Sequence, residues 1–111
     1  MASKILSLLS LLFLSQLASF AKAQETITVT DWVVPFAGPE DWQAAVGDTM
    51  VFTWTGGHNV FIHPTQSCDT TGAEFIGRFS GTEYTFTAED AGTQIFFACD
   101  IGQGAHCRFG K

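Results

Sequence analysis

Basic residues are scarce in this chain, which has 5 Lys and Arg against 11 Asp and Glu in 111 residues and a formal net charge of −6. So acidic a surface repels nucleic acid and anionic lipid, and neither is an expected partner. A basic partner would be favoured, although the same charge also serves solubility alone. N-glycosylation is excluded too, because the one Asn, Asn59, is followed by Val60-Phe61.

Long apolar runs are also few, and the one present lies at the N-terminus. Residues 1–23 contain an early Lys, a Leu-rich stretch, and the small residues Ala21 and Ala23 before Gln24, a pattern typical of a secretory signal peptide. Ser and Gln interrupt the run, which is short for a membrane span, so an uncleaved anchor is the less favoured alternative. We predict cleavage before Gln24, one domain at 24–111, no membrane span, and a secreted monomer in an extracellular or cell-wall-like space.

Helix signals are missing from residues 24–111, where short alternating or apolar runs are separated by turn residues. The predicted strands are Thr26–Thr30, Thr49–Trp54, Val60–Ile62, Phe75–Ile76, Glu83–Thr87 and Ile95–Phe97. Short strands at this spacing are typical of an all-β sandwich or barrel. Most of the 11 Phe and 3 Trp residues, including Trp32 and Trp42, are expected in or against the core, and so is Met50.

Cysteine is limited to Cys68, Cys99 and Cys107. An oxidising compartment favours pairing, yet three thiols cannot all pair within one chain. The remaining thiol has three possible fates: an intermolecular disulfide, a buried thiol, or a metal ligand.

The histidines stand in positions that suit a metal. Cys99 ends an aromatic strand, a turn-rich loop covers residues 100–105, and His106 follows, so a thiolate and an imidazole can converge. His58 follows two glycines that allow close backbone approach, and it offers a third ligand. One Cys and two His in a trigonal set form the blue-copper electron-transfer site. A structural zinc site usually has four protein ligands, often with close Cys-x₂-Cys spacing, which is missing here.

These residues resemble the phytocyanin branch of the cupredoxins, the small blue copper proteins. The matching stretches are VGDTMVFTW at 46–54, GGHNV at 56–60, Cys68, and CDIGQGAHCRFG at 99–110. The resemblance covers the chain from Trp32 to Gly110. It implies a Greek-key β-sandwich or barrel of cupredoxin type, and a secreted one-electron carrier with one type 1 copper ion.

The resemblance also assigns roles to individual residues. It implies that His58, Cys99 and His106 bind copper. It further implies that Cys68 and Cys107 form a disulfide that flanks the site. The odd cysteine is then the metal ligand.

The chain departs from the family in three respects. Six residues separate Cys99 from His106, where the family commonly has about four. Lys111, a poor ligand, occupies the position of the family's axial Met or Gln, so Gln103 or the carbonyl oxygen of Gly57 is the alternative axial donor, and otherwise the site is three-coordinate. The family continues into a further strand after the position of Lys111, and this last strand is expected to be missing here. Either the sequence is a fragment of a longer chain, which we favour, or the sandwich has an unpaired edge.

Catalysis is not expected. No Ser-His-Asp or Cys-His-Asn arrangement has support in the sequence, and a copper-bound thiolate is not free as a nucleophile. Cleavage would place Gln24 rather than His at the N-terminus, which excludes an N-terminal histidine brace. We therefore predict an electron carrier whose partner is a small redox protein or a redox-active small molecule.

Two other functions suit the same fold. One is a non-redox extracellular binding or structural module, and the other is copper sequestration without redox partners.

Two further polar side chains are expected to have no part in the site. His63, before Pro64, is expected to be a polar surface residue, and Asp100 a solvated turn residue.

Overall fold

The structure is a computed structural model that describes residues 23–108. This part of the chain is mostly β-structure with almost no helix, which is compatible with the predicted all-β fold. The strands are β1 Thr26–Val29, β2 Thr49–Phe52, β3 Val60–His63, β4 Glu74–Gly77, β5 Thr82–Thr85 and β6 Phe96–Ala98. A 3₁₀ helix covers Ala88–Asp90, and a one-turn α-helix, α1, covers Ala105–Arg108. Each predicted strand overlaps an observed one.

The strands form two small sheets of three strands each. The first sheet has the order β1-β2-β5, in which β1 runs parallel to β2 while β5 is antiparallel to it. The second sheet has the order β4-β3-β6, and both of its pairs are antiparallel. A bulge between Val60 and Phe61 shifts the register of β3 against β4.

Aromatic side chains fill the space between the two sheets. Phe52 of β2 meets Phe97 of β6 with ring centroids 5.0 Å apart, and it meets Trp32 at 5.1 Å. Trp32 and Met50 are buried in this core, and Trp42 packs against it, as the sequence predicted. Burial of such rings supplies the main drive for folding, at about 25 cal/mol for each Å² of apolar surface removed from water.

The Asp48 side chain stabilises the start of β2 through hydrogen bonds to the backbone. Its buried carboxylate accepts hydrogen bonds from the backbone N–H groups of Glu25 and Ala45, both at 2.9 Å. These bonds tie the segment before β1 and the turn before β2 to one side chain. The Gly-Asp pair that opens the strand in the sequence therefore has a structural function.

Several predictions concern residues outside 23–108. The signal peptide at 1–23 lies outside the described residues except for Ala23, and so do Lys111 and any strand after it. The cleavage site and the domain boundaries at 24–111 remain predictions. Within 23–108 no helix is long and apolar enough to cross a membrane.

Candidate metal centre

Pairing of β3 with β6 brings two of the predicted ligands together. The strands are antiparallel, and Phe61 of β3 lies opposite Ala98 of β6. His58 just before β3 and Cys99 just after β6 therefore fall at the same end of the sheet. The Sγ atom of Cys99 lies 3.9 Å from Nδ1 of His58.

A sharp bend precedes His58. Gly56 has a φ of +83°, in the left-handed region that favours glycine. A Cβ atom at this position would lie 3.8 Å from Nε2 of His58, in ordinary contact with the ring. The glycine is thus needed for its backbone conformation, which turns the chain into β3 with His58 at the end of the sheet.

The third predicted ligand comes from α1. Residues 101–104 form a turn, and the backbone N–H of His106 donates to the carbonyl of Ile101 at 3.3 Å. The turn places Nδ1 of His106 3.5 Å from Sγ of Cys99. The three ligand atoms all lie within 4.8 Å of one another, so His58, Cys99 and His106 form a group that could hold a metal ion.

The distances at this group fit a shared ion. Metal–nitrogen and metal–sulfur bonds of about 2.0 and 2.3 Å, meeting at a trigonal angle, would put sulfur and nitrogen about 3.7 Å apart. The observed separations of 3.5 and 3.9 Å lie on either side of that value. Tetrahedral angles would give a sulfur–nitrogen separation of about 3.5 Å, so the observed distances fit both copper and zinc. The two metals are therefore distinguished by the type and number of ligands and not by these distances.

Burial differs among the three side chains. Cys99 is fully buried at 0% exposure, whereas His58 and His106 are half-buried, with ring centroids 5.0 Å apart. Cys99 is also the one unpaired cysteine in residues 23–108. A buried thiol between two partly exposed imidazoles gives a site that is shielded on the sulfur side and reachable on the histidine side.

The disulfide between Cys68 and Cys107 is present, as the resemblance implied. It joins the β3–β4 connection to α1, directly beside His106. Gly104 packs against the same region, because a Cβ atom there would lie only 2.9 Å from the carbonyl oxygen of Cys68. The disulfide and this close contact together hold the ligand loop against the body of the protein.

Asn59 is a component of the site that the sequence did not reveal. Its backbone N–H donates to Sγ of Cys99 at 3.4 Å, and its Oδ1 accepts from the backbone N–H of Asp100 at 2.7 Å. Its carbonyl oxygen accepts from Nε1 of Trp32 at 2.9 Å. One residue thus ties the start of β3 to the end of β6 and supplies a hydrogen bond to the ligand sulfur.

The predicted role of His63 as a polar surface residue is wrong. His63 is 2% exposed, and its two ring nitrogens contact Asp100 Oδ1 and the Ser67 carbonyl oxygen, each at 2.6 Å. The description of Asp100 as a solvated turn residue is wrong as well, since its side chain is only 7% exposed. The bulge in β3 interrupts the in–out alternation of side chains, so alternation could not have revealed this burial.

The possible axial donors have different positions. Gln103 is exposed and has a φ of +56°, while Met50 is buried in the core, as predicted. Gly57 is exposed just before His58, and Lys111 lies outside the described residues.

No family model matches the chain, and neither a curated protein nor a solved structure matches it significantly. The comparisons therefore give no family assignment.

Proposed function

We propose that this protein binds one type 1 copper ion and acts as a secreted one-electron carrier of cupredoxin type. The observation that carries the proposal is the convergence of Cys99 Sγ with Nδ1 of His58 and His106, at 3.9 and 3.5 Å. One thiolate and two imidazoles are the equatorial donors of blue-copper sites. When bound, copper supplies a couple between Cu(II) and Cu(I) that takes up and releases one electron.

The protein's own residues would each have a defined task. Cys99 supplies a sulfur ligand held in a dry environment, and the Asn59 N–H donates to that sulfur. Hydrogen bonds to a ligand sulfur tune the properties of the metal. The half-buried ring of His106 provides a short route between the site and a partner at the surface.

The pairing pattern supports the cupredoxin-type fold. Two sheets with the orders β1-β2-β5 and β4-β3-β6 require connections that cross between them, as in a Greek-key sandwich. Such a frame keeps the ligands in place in both oxidation states. The Cys68–Cys107 disulfide is compatible with an oxidising compartment, and we propose secretion. The acidic surface favours a basic redox partner, either a small protein or a small molecule.

Titration of the folded protein with Cu(II), followed by visible absorption, tests this proposal. We expect an intense thiolate-to-copper charge-transfer band that saturates at one copper per chain. Reversible bleaching by a one-electron reductant should follow. Absence of the band while circular dichroism shows an intact fold would contradict the proposal. A colourless complex that prefers Zn(II) would assign the same ligands to zinc, and a blue complex that cannot be reduced and reoxidised would favour sequestration.

Replacement of a single ligand gives a sharper test. His106→Ala should abolish the intense band, because the trigonal donor set loses one imidazole. Arg108→Ala is the matched control, since Arg108 lies on the same one-turn helix and is exposed. The control should keep the wild-type spectrum. A blue band retained by His106→Ala would rule out this ligand assignment.

A further inference from the structure

The His63 side chain connects two segments that hold the metal centre. Its Nε2 contacts Oδ1 of Asp100 at 2.6 Å, and its Nδ1 contacts the carbonyl oxygen of Ser67 at 2.6 Å. Asp100 directly follows Cys99. Ser67 directly precedes Cys68, whose disulfide leads to Cys107 beside His106. One imidazole therefore links the side chain of the residue after Cys99 with the backbone of the residue before Cys68.

The contacts fix where the hydrogens lie. A carbonyl oxygen can only accept, so Nδ1 of His63 carries a hydrogen and donates it to Ser67. The Nε2 atom has the Asp100 carboxyl as its partner at 2.6 Å. Both ring nitrogens of this buried histidine therefore have a polar partner, as buried polar groups require.

A short chain of bonds links this pair to the ligand sulfur. The backbone N–H of Asp100 donates to Oδ1 of Asn59 at 2.7 Å, and the Asn59 N–H donates to Sγ of Cys99 at 3.4 Å. A shift of Asp100 would therefore change both the direction of the Cys99 side chain and the hydrogen bond to its sulfur. His63 reaches the ligand through Asp100 without touching it.

We propose that His63 is a positioning residue of the metal centre. It orients Cys99 through Asp100, and it ties Asp100 to the backbone at Ser67–Cys68. The inference rests on the proposed function only where it concerns copper. The arrangement of Cys99 in the metal-free protein follows from the same contacts. Any buried histidine needs partners for its ring nitrogens, and what sets His63 apart is that its two partners, Asp100 and Ser67, directly adjoin Cys99 and Cys68.

Two substitutions separate positioning from general stabilisation. His63→Gln places an amide near the Nε2 position and keeps a donor toward Asp100. His63→Asn places its amide near the Nδ1 position, which keeps the donor toward Ser67 and loses Asp100. Both variants lose one bond from a buried polar site, so their global stabilities should fall by similar amounts. Tyr84→Phe removes the hydrogen bond from Tyr84, in β5 of the first sheet, to Asp90 of the 3₁₀ helix, and it serves as a destabilised control outside the site.

The first readout uses the metal-free protein. Iodoacetamide alkylation of the buried Cys99 thiol under native conditions should be about tenfold or more faster in His63→Asn than in wild type, a change that corresponds to ~1.4 kcal/mol. His63→Gln and Tyr84→Phe should stay within about threefold of wild type. Equal rates for the Asn and Gln variants would overturn positioning through Asp100, whether or not the protein binds copper.

The second readout uses the Cu(II)-loaded protein. His63→Asn should change the copper hyperfine splitting in electron paramagnetic resonance and the relative intensities of the thiolate-to-copper bands, while His63→Gln should largely restore both. Identical wild-type and His63→Asn spectra would overturn the inference and leave the proposed function intact. Absence of a thiolate–copper band in wild type would instead refute the proposed function, and alkylation would still decide the role of His63.

Discussion

Asp90, at the end of the 3₁₀ helix, accepts hydrogen bonds through one carboxylate oxygen from two residues. Oδ2 receives the backbone N–H of Thr87 at 2.8 Å and the hydroxyl of Tyr84 at 2.9 Å. The bond from the Thr87 backbone is the main reason that the pKa of Asp90 is below its usual value. Burial, with the bond to Asp90 and nearby negative charge, raises the pKa of Tyr84 to about 12.

These contacts make Asp90 a pH-dependent contributor to stability. A carboxyl whose pKa is lowered by folding stabilises the protein above its unfolded pKa of about 3.9, and the contribution is lost as the pH falls through the folded value. Asp90→Asn should therefore be less stable than wild type near neutral pH by up to ~1 kcal/mol, and the difference should shrink below about pH 4. Urea unfolding of wild type and Asp90→Asn, from neutral pH to below pH 4, measures this difference in unfolding free energy. Glu89→Gln is the exposed neighbouring control, and a pH-independent Asp90→Asn effect would contradict the explanation.

The ligand residues could be predicted from the sequence, whereas the residues around them could not. His58, Cys99 and His106 are distinctive residue types placed at strand ends and loops, and their convergence needs only one antiparallel pair and the turn that leads to His106. The burial of His63 depends on the bulge in β3 and on the backbone carbonyl of Ser67, and neither can be recognised from the pattern of residue types. Whether the three ligands bind copper remains a prediction.

At the scale of secondary structure, the segment between β6 and Cys107 has the tightest packing requirement near the site. Gly104 is buried, has a φ of +90°, and faces the Cys68 carbonyl at a distance that leaves no room for a methyl group. Gly92 also has a positive φ, of +74°, but nothing lies within 4 Å of the position of its missing Cβ. Alanine substitutions at the two glycines therefore distinguish the energetic cost of backbone strain from the cost of a steric clash.

Gly104→Ala should destabilise the protein by roughly 2–4 kcal/mol, because it combines left-handed strain of about 1–2 kcal/mol with a clash against backbone. Gly92→Ala should be destabilised only by the left-handed backbone strain, at about 1 kcal/mol. Thermal and urea unfolding of both variants measure the contrast. Equal losses would show that the close approach of Gly104 to Cys68 has no energetic weight. Gly104→Ala should also weaken copper binding, since the loop carries His106.

All six strands found within residues 23–108 could be predicted, because alternating or continuous apolar runs are bounded by turn residues. The short helix α1 could not, because Ala105–Arg108 is too brief to show helical periodicity and is fixed by the Cys68–Cys107 disulfide and by packing. The sequence predicted a loop before His106, and the structure continues it into one helical turn. The pairing order of the strands was likewise not visible in local patterns, because it depends on contacts between distant segments.

At the scale of the whole molecule, a small domain with two three-stranded sheets depends on its disulfide. The Cys68–Cys107 bond spans 39 residues, from the β3–β4 connection to α1. In the chain-entropy picture, closing a loop of about 40 residues contributes roughly 4 kcal/mol to stability. The bond also holds the backbone next to His106, so stability and ligand geometry are connected.

The double variant Cys68→Ser/Cys107→Ser should lose about 4 kcal/mol of unfolding free energy and bind copper more weakly. Cys99→Ser provides the complementary control, because it keeps the disulfide while removing the sulfur ligand. It should lose the intense visible band with a smaller change in stability. Denaturant unfolding and Cu(II) titration of both variants test this separation. An unchanged copper affinity in the double variant would show that the disulfide does not support the ligand loop.

The burial of Cys99 bears on how the chain acquires its correct disulfide. Three cysteines allow three single disulfides, and in an unfolded chain the pair Cys99–Cys107 closes a far shorter loop than Cys68–Cys107. Loop-closure entropy favours the shorter loop by about 1.4 kcal/mol, which opposes the native pairing. In the folded protein the Cys99 thiol is fully buried just after β6, which pairs with β3, and this burial removes it from competition with the native pairing. Oxidation before β3 and β6 pair would therefore be expected to place Cys99 in a non-native disulfide, so slow oxidation should give a higher yield of chains with the Cys68–Cys107 bond and a free Cys99 thiol.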